Sequence, residues 1–131
     1  ARRAHANRYN DAFRQLDLDR PDALTMPDVP KTGHHVFNQY VVRTRRRDEL
    51  HDFLASRGIC TAVYYPIPLH MQTCLAFLGY REGDFPEAER AARETLALPV
   101  YPELTVQMQD RVIESIDTFF KGAMSAARID I

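Results

Sequence analysis

The chain has 131 residues, 45% of them hydrophobic and 27% charged, with a formal net charge of −1. This is one domain's worth of ordinary soluble globular protein, long enough to bury roughly two thirds of the surface its unfolded form exposes. So even a charge balance gives no global field toward nucleic acid or an anionic membrane. No apolar run has the length of a membrane span, and no signal-peptide pattern opens the chain.

Ala1 already sits inside a helical pattern, so the chain reads as a piece of something longer. From Ala1 to Leu16 the spacing of Tyr9, Ala12, Phe13 and Leu16 predicts a helix. Pro21, Pro27, Pro30 and Gly33 then mark a loop or linker. Val36 to Arg43 reads as a strand buried on both faces, by its β-branched and aromatic content. A helix follows over Arg46–Arg57, with Leu50, Phe53 and Leu54 inward and Gly58 as its C-terminal cap. Ile59 to Tyr64 returns as a strand, completing a strand–helix–strand unit.

Beyond it, Met71–Leu78 reads as a short helix closed by Gly79. Pro86 suits the first position of a helix running to Ala97, with Asp84 as a candidate cap. Leu98–Pro102 is extended because proline restricts the residue before it. Thr105 then caps a final helix whose buried stripe is Met108, Val112, Ile113, Ile116, Phe119 and Phe120, ending at Gly122 before a loose tail. The fold class expected is α+β, a small, mostly antiparallel sheet covered by helices.

The most informative stretch is Tyr64-Tyr65-Pro66-Ile67-Pro68-Leu69-His70. Two prolines stiffen a loop after a strand, and aromatic and imidazole groups on such a loop suit contact with a ligand. Tyr64 as a core residue and His70 as a packing residue are the competing readings. Asn38 and Tyr40 either face a cleft or are buried and hydrogen-bonded. The run Arg43, Arg45, Arg46, Arg47 reads as a solvated strand-to-helix turn balanced by Asp48, Glu49 and Asp52, since no glycine-rich phosphate cradle accompanies it. Glu89 and Glu94 with Arg90 and Arg93 give ordinary pairing along a helix. Cys60 and Cys74 lack framework spacing and read as free thiols of a cytoplasmic protein. No histidine has a second ligand at metal spacing, so no metal site is expected. The residues alone therefore give a ligand-facing loop without a reaction centre.

The order of motifs, however, resembles a known family. Arg2-Arg3-Ala4-His5-Ala6-Asn7-Arg8-Tyr9, His35-Val36-Phe37-Asn38-Gln39-Tyr40-Val41-Val42-Arg43, Arg47-Asp48-Glu49-Leu50 and Leu54-Ala55-Ser56-Arg57-Gly58-Ile59 stand in the family's order. Tyr65-Pro66-Ile67-Pro68-Leu69-His70-Met71-Gln72, Gly83-Asp84-Phe85-Pro86-Glu87-Ala88-Glu89 and Leu96 to Leu104 continue it. Collectively they are similar to the C-terminal part of the DegT/DnrJ/EryC1/StrS aminotransferases, pyridoxal-phosphate enzymes that aminate nucleotide-linked keto sugars.

The resemblance implies the small C-terminal domain of a fold-type-I aminotransferase, working as a cytoplasmic homodimer with an amino-acid donor, without nucleic acid or membrane partners. Residues 1–16 would end the interdomain helix, 17–122 form the domain and 123–131 a flexible tail. Neither Lys31 nor Lys121 lies in a motif matching the cofactor lysine. The fragment alone should therefore bind no pyridoxal phosphate and be inactive. Carried over to this chain, Tyr65 and His70 are the leading substrate-side candidates, with Tyr64 and Asn38 behind them, on a loop approaching the active-site mouth. The rival reading is a freestanding binding module that docks an anionic partner on Arg43–Arg47. Loss of a partner domain is also expected to leave an apolar face on the first helix and the sheet.

Overall fold

A computed structural model describes residues 1–29 and 32–126. Lys31 and residues 127–131 of the expected tail lie outside the described residues. In chain order the elements are helix α1 (Arg2–Gln15), strand β1 (Tyr40–Arg43), helix α2 (Arg47–Ser56), 3-10 turns at Leu69–Met71 and Thr73–Leu78, helix α3 (Pro86–Glu94), strand β2 (Thr95–Leu98) and helix α4 (Val106–Ala126).

β1 and β2 pair antiparallel, with Tyr40 opposite Leu98 and Arg43 opposite Thr95. Thr25 extends this ladder beyond β1 through paired bonds with Arg43, and Ala62 extends it beyond β2 through paired bonds with Ala97. α1, α2 and α4 supply most of the core: Tyr9 and Phe13, Leu50 and Leu54, and Val112, Ile113, Ile116, Phe119 and Phe120. Tyr40, Val42, Leu96 and Leu98 meet them from the ladder. The α+β class is as expected.

Periodicity read the helices well. α1 and α2 fall within a residue of their expected bounds. Gly58 (φ 71°) ends α2, its N–H bonding to the Ala55 carbonyl and that of Ile59 to the Leu54 carbonyl. These are the two bonds of a Schellman cap, which needs a residue at ease with positive φ. Thr105 caps α4 through its hydroxyl, 3.2 Å from the Met108 amide. Met108 itself is exposed, not part of the buried stripe, and α4 runs through Gly122 to Ala126.

Strand boundaries differ more. Residues 36–39 are not strand: Phe37 takes φ 50° and its N–H bonds to His35 Nδ1 at 3.0 Å, so the chain turns before β1 begins. Nor is β1 buried on both faces, since only Tyr40 and Val42 point inward. The expected strand over 59–64 reduces to the single Ala62 bridge. In that register Cys60 would face Pro99, which has no N–H to donate. β2 takes in residues 95–97, expected to be helical, together with Leu98, expected to be extended. Leu, Ala and Leu are good helix formers, but pairing with β1 overrides that preference. Thr95 marks the switch, its hydroxyl donating to the Ala91 carbonyl at 2.8 Å while its backbone is extended. Asp84 does not cap α3; Phe85 holds that position, and Asp84 closes a turn by accepting from the Arg81 amide.

Arg47 corrects the reading of the basic run. Its side chain is only 10% exposed, and Nη1 donates to the Ala92 and Thr95 carbonyls at 3.0 and 3.2 Å. It thus ties the start of α2 to the junction of α3 and β2. Arg46 lies 4.3 Å from the centre of the Phe119 ring and pairs with Glu49. Of the run, only Arg45 is exposed.

The apolar surface also lies elsewhere than expected. Among the described residues, no large exposed hydrophobic side chain sits on α1, β1 or β2. They gather instead on the excursion between Ala62 and α3: Tyr64, Tyr65, Ile67, Leu69, Met71, Phe77, Leu78, Tyr80 and Phe85.

Replacing Arg47 by Met should destabilise the protein by about 1–3 kcal/mol, because two buried carbonyls lose their donor. Arg45→Met should stay within about 0.5 kcal/mol of wild type. Urea unfolding of the two variants side by side measures the difference, and equal midpoints would contradict it.

Candidate functional site

At one end of the ladder three segments converge: Asn38 and Gln39 before β1, Cys60–Tyr64 around the Ala62 bridge, and Ala97–Val100 at the end of β2. Together they line an open cleft of about 230 Å³. Proline placement explains why the chain opens here. Pro99 ends β2, because it has no N–H to offer the Cys60 segment opposite it. The floor is fixed from α1, where the Tyr9 hydroxyl donates to the Pro99 carbonyl at 3.0 Å. Tyr40 is buried, donating to Asn10 Oδ1 at 2.6 Å, so of its two readings the buried one holds. Burial pushes both phenols above their ordinary range, with each ring beside the other at 5.0 Å. They are structural hydroxyls, not acids.

The four substrate-side candidates do not fall in one place. Asn38 and Tyr64 share the cleft, and Asn38 Oδ1 also accepts from Arg2 at 3.4 Å. Tyr65 follows across a cis peptide bond and stands 76% exposed, outside the residues lining the cleft. His70 turns the other way. Its side chain is 8% exposed, its Nε2 is 3.0 Å from Glu89 Oε1, and its ring packs at 4.8 Å on Phe85. A carboxylate only accepts, so Nε2 carries the proton.

Sequence reasoning missed two members of this region. Thr61 lines the cleft with an enclosed hydroxyl that has no partner within the protein. Glu89, read as one half of a surface pair, is buried and forms no ion pair with Arg90 or Arg93. Its Oε1 accepts from the Gly83 amide at 2.8 Å, from His70 at 3.0 Å and from the Phe85 amide at 3.4 Å. The available signal was a carboxylate at the fourth residue of α3, a variant of the reciprocal cap that reaches back to the helix entry. These bonds, led by the Gly83 amide, hold the Glu89 carboxyl below its usual value against the opposing effect of burial.

From Ile59 to Tyr80 the chain carries no Asp, Glu, Lys or Arg. About six would be expected at the chain's own frequency of 27% charged residues. The neutrality coincides with the exposed apolar excursion, where Tyr65 and Phe77 are 76% and 80% exposed. A neutral aromatic surface beside a mostly apolar cleft that carries a few polar groups suits contact with an amphipathic partner. Among the described residues no group of three or more His, Cys, Asp or Glu could hold a metal, and both cysteines are free. Lys121 is bound to Asp117 at 2.7 Å on α4 and lines no part of the cleft, so it does not fit a cofactor lysine. No described helix is long and apolar enough to cross a membrane.

Known proteins resemble this chain in sequence and in fold. Residues 1–117 match the model of the DegT/DnrJ/EryC1/StrS aminotransferase family. The chain is 47% identical over 120 residues to a "Pleiotropic regulatory protein" of Geobacillus stearothermophilus, covering 92% of this chain and 32% of that one. It is 42% identical over 122 residues to a dTDP-3-amino-3,4,6-trideoxy-alpha-D-glucose transaminase of Micromonospora megalomicea subsp. nigra, again covering 92% and 32%. The structure of S. venezuelae DesV in complex with a ketimine intermediate superposes with a TM-score of 0.82 at 35% identity, covering 90% of this chain and 30% of that one. The chain thus spans about a third of the length of the curated relatives it matches.

The lowered pKa of Glu89 sets a pH dependence. Because its folded value lies below the ordinary 4.5, the stabilisation is complete above 4.5 and is lost as pH falls through the folded value. In urea unfolding, the gap between wild type and Glu89→Gln should stay flat from about pH 7 to 5 and close below it. A gap unchanged at lower pH would contradict the assignment.

Proposed function

We propose a function from one premise: this chain belongs to the DegT/DnrJ/EryC1/StrS aminotransferase family. It is the C-terminal small domain of a pyridoxal-phosphate-dependent aminotransferase acting on nucleotide-linked keto sugars with an amino-acid donor. The parent works as a cytoplasmic homodimer. Residues 1–16 end the helix that joins the two domains, and the small domain runs from 17 through the end of α4 at Ala126. The observation that supports this reading best is the neutral loop that exposes Tyr64 and Tyr65 at the rim of the cleft, in a chain of this family.

When bound, the cofactor supplies the electron sink for amino-group transfer. The residues here do not fit its attachment, so this chain takes no part in that chemistry. Its own side chains shape the substrate entrance. Tyr65 offers a flat, neutral face to a sugar or base, while Tyr64, Asn38 and Thr61 offer polar groups from the cleft. His70 contributes by holding the loop from beneath. The exposed apolar excursion packs in the parent against surfaces that this chain does not contain. An anionic partner on Arg43–Arg47 is the weaker reading, since the fold uses Arg46 and Arg47 internally.

Full-length protein mixed with pyridoxal phosphate should develop the visible absorbance of a lysine-bound cofactor, while residues 1–131 alone should not. A band from residues 1–131 would overturn the assignment. In the full-length enzyme, Tyr65→Ala should raise KM for the nucleotide sugar about tenfold, the scale of one lost aromatic contact, and leave the cofactor band intact. Wild-type KM would remove Tyr65 from the entrance.

A further inference from the structure

The excursion from Val63 to Phe85 is long, carries few charges and is largely exposed, yet it follows one defined path. Its internal bonds are local. The Met71 amide bonds to the Pro68 carbonyl, Gln72 to Leu69, Leu75 to Gln72, Gly79 to Ala76 and Asp84 to Arg81. Such turns set local shape but do not attach the segment to the rest of the protein. Among the described residues, every hydrogen bond from this segment to another part of the molecule ends on Glu89. His70 Nε2 and the Gly83 and Phe85 amides reach its Oε1, and the Glu89 amide donates to the Phe85 carbonyl.

Packing converges on the same point. Pro66, Ile67, Pro68 and Met71 form a shallow groove with Glu89, Ala92 and Arg93, so the stiff half of the loop lies over this face of α3. Phe85 joins the His70 ring at 4.8 Å to the Tyr80 ring at 5.1 Å. The two halves of the excursion, one carrying His70 and the other Gly83 and Phe85, are therefore gathered by a single carboxylate oxygen. A charged acceptor shared by three donors is stronger than a neutral one, and each donor would be left unpaired if it were lost.

We infer that Glu89 is the positioning residue of this loop, the one polar anchor that holds Tyr64 and Tyr65 at the cleft from a residue that does not itself line it. His70 acts through Glu89. The consequence for substrate rests on the entrance reading proposed above, whereas the anchoring does not.

Hydrogen–deuterium exchange on the full-length protein, combined with steady-state kinetics, separates the two. In Glu89→Ala, amides across residues 63–85 should exchange at least about tenfold faster, the factor expected for one charge-assisted bond. α1 and α4 should keep their wild-type protection. KM for the nucleotide sugar should rise while kcat and the cofactor absorbance hold. Glu89→Gln keeps an oxygen for the backbone amides, so its effect should be smaller and centred on residues 69–78. His70→Ala should loosen the same residues without freeing the Gly83–Phe85 turn. Unchanged exchange over 63–85 in Glu89→Ala would overturn the inference. If that variant loosens throughout, Glu89→Gln decides: a local rise supports the anchor and none overturns it. Faster exchange with unmoved KM would leave the anchor standing and sink the entrance reading instead.

Discussion

Four residue pairs of backbone ladder, Tyr40–Arg43 against Thr95–Leu98, organise this molecule. The ladder brings together segments more than fifty residues apart, and the core helices pack against the side chains it turns inward. It also decides where the polypeptide must leave the core. Between Ala62, bridged to β2, and α3, which feeds β2, the chain makes its exposed excursion and returns. The cleft forms at the end of the ladder where proline stops further pairing.

Two charged side chains then hold α3 at its ends. Glu89 lies in its first turns and collects donors from the incoming excursion. Arg47 reaches across from α2 and donates to carbonyls where the helix gives way to β2. Both placements agree with the helix dipole, a carboxylate near the amino end and a guanidinium at the carboxyl end. Both are also bonds between elements distant in sequence. α3 is therefore a strut held between the loop and the ladder, and the position of the loop depends on it.

What was legible in the sequence follows from how local each determinant is. Helical periodicity, the Gly58 cap and the Thr105 cap act within a few residues, and all three read correctly. The fold class and the resemblance to the family were legible as well. β2 was not, because the stretch 95–97 is locally a continuation of the helix and becomes strand only on meeting Tyr40–Arg43. Arg47 was misread for the same reason, since its carbonyl acceptor on Ala92 lies 45 residues away. Glu89 was misread because its donors, His70 and the Gly83 and Phe85 amides, are not the charged neighbours it was paired with. The Tyr64–His70 loop stood out by composition, but its sequence does not reveal that His70 faces inward while Tyr65 faces out.

On the reading proposed above, the loop is one wall of a site, built from neutral aromatic groups and held from behind by a carboxylate, and the chemistry of that site lies in other parts of a longer parent. The most direct check is amide exchange of full-length enzyme with and without its nucleotide-sugar substrate. The account predicts slower exchange at residues 64–70 when the substrate is added. Protection confined to other regions, with 64–70 unchanged, would contradict it.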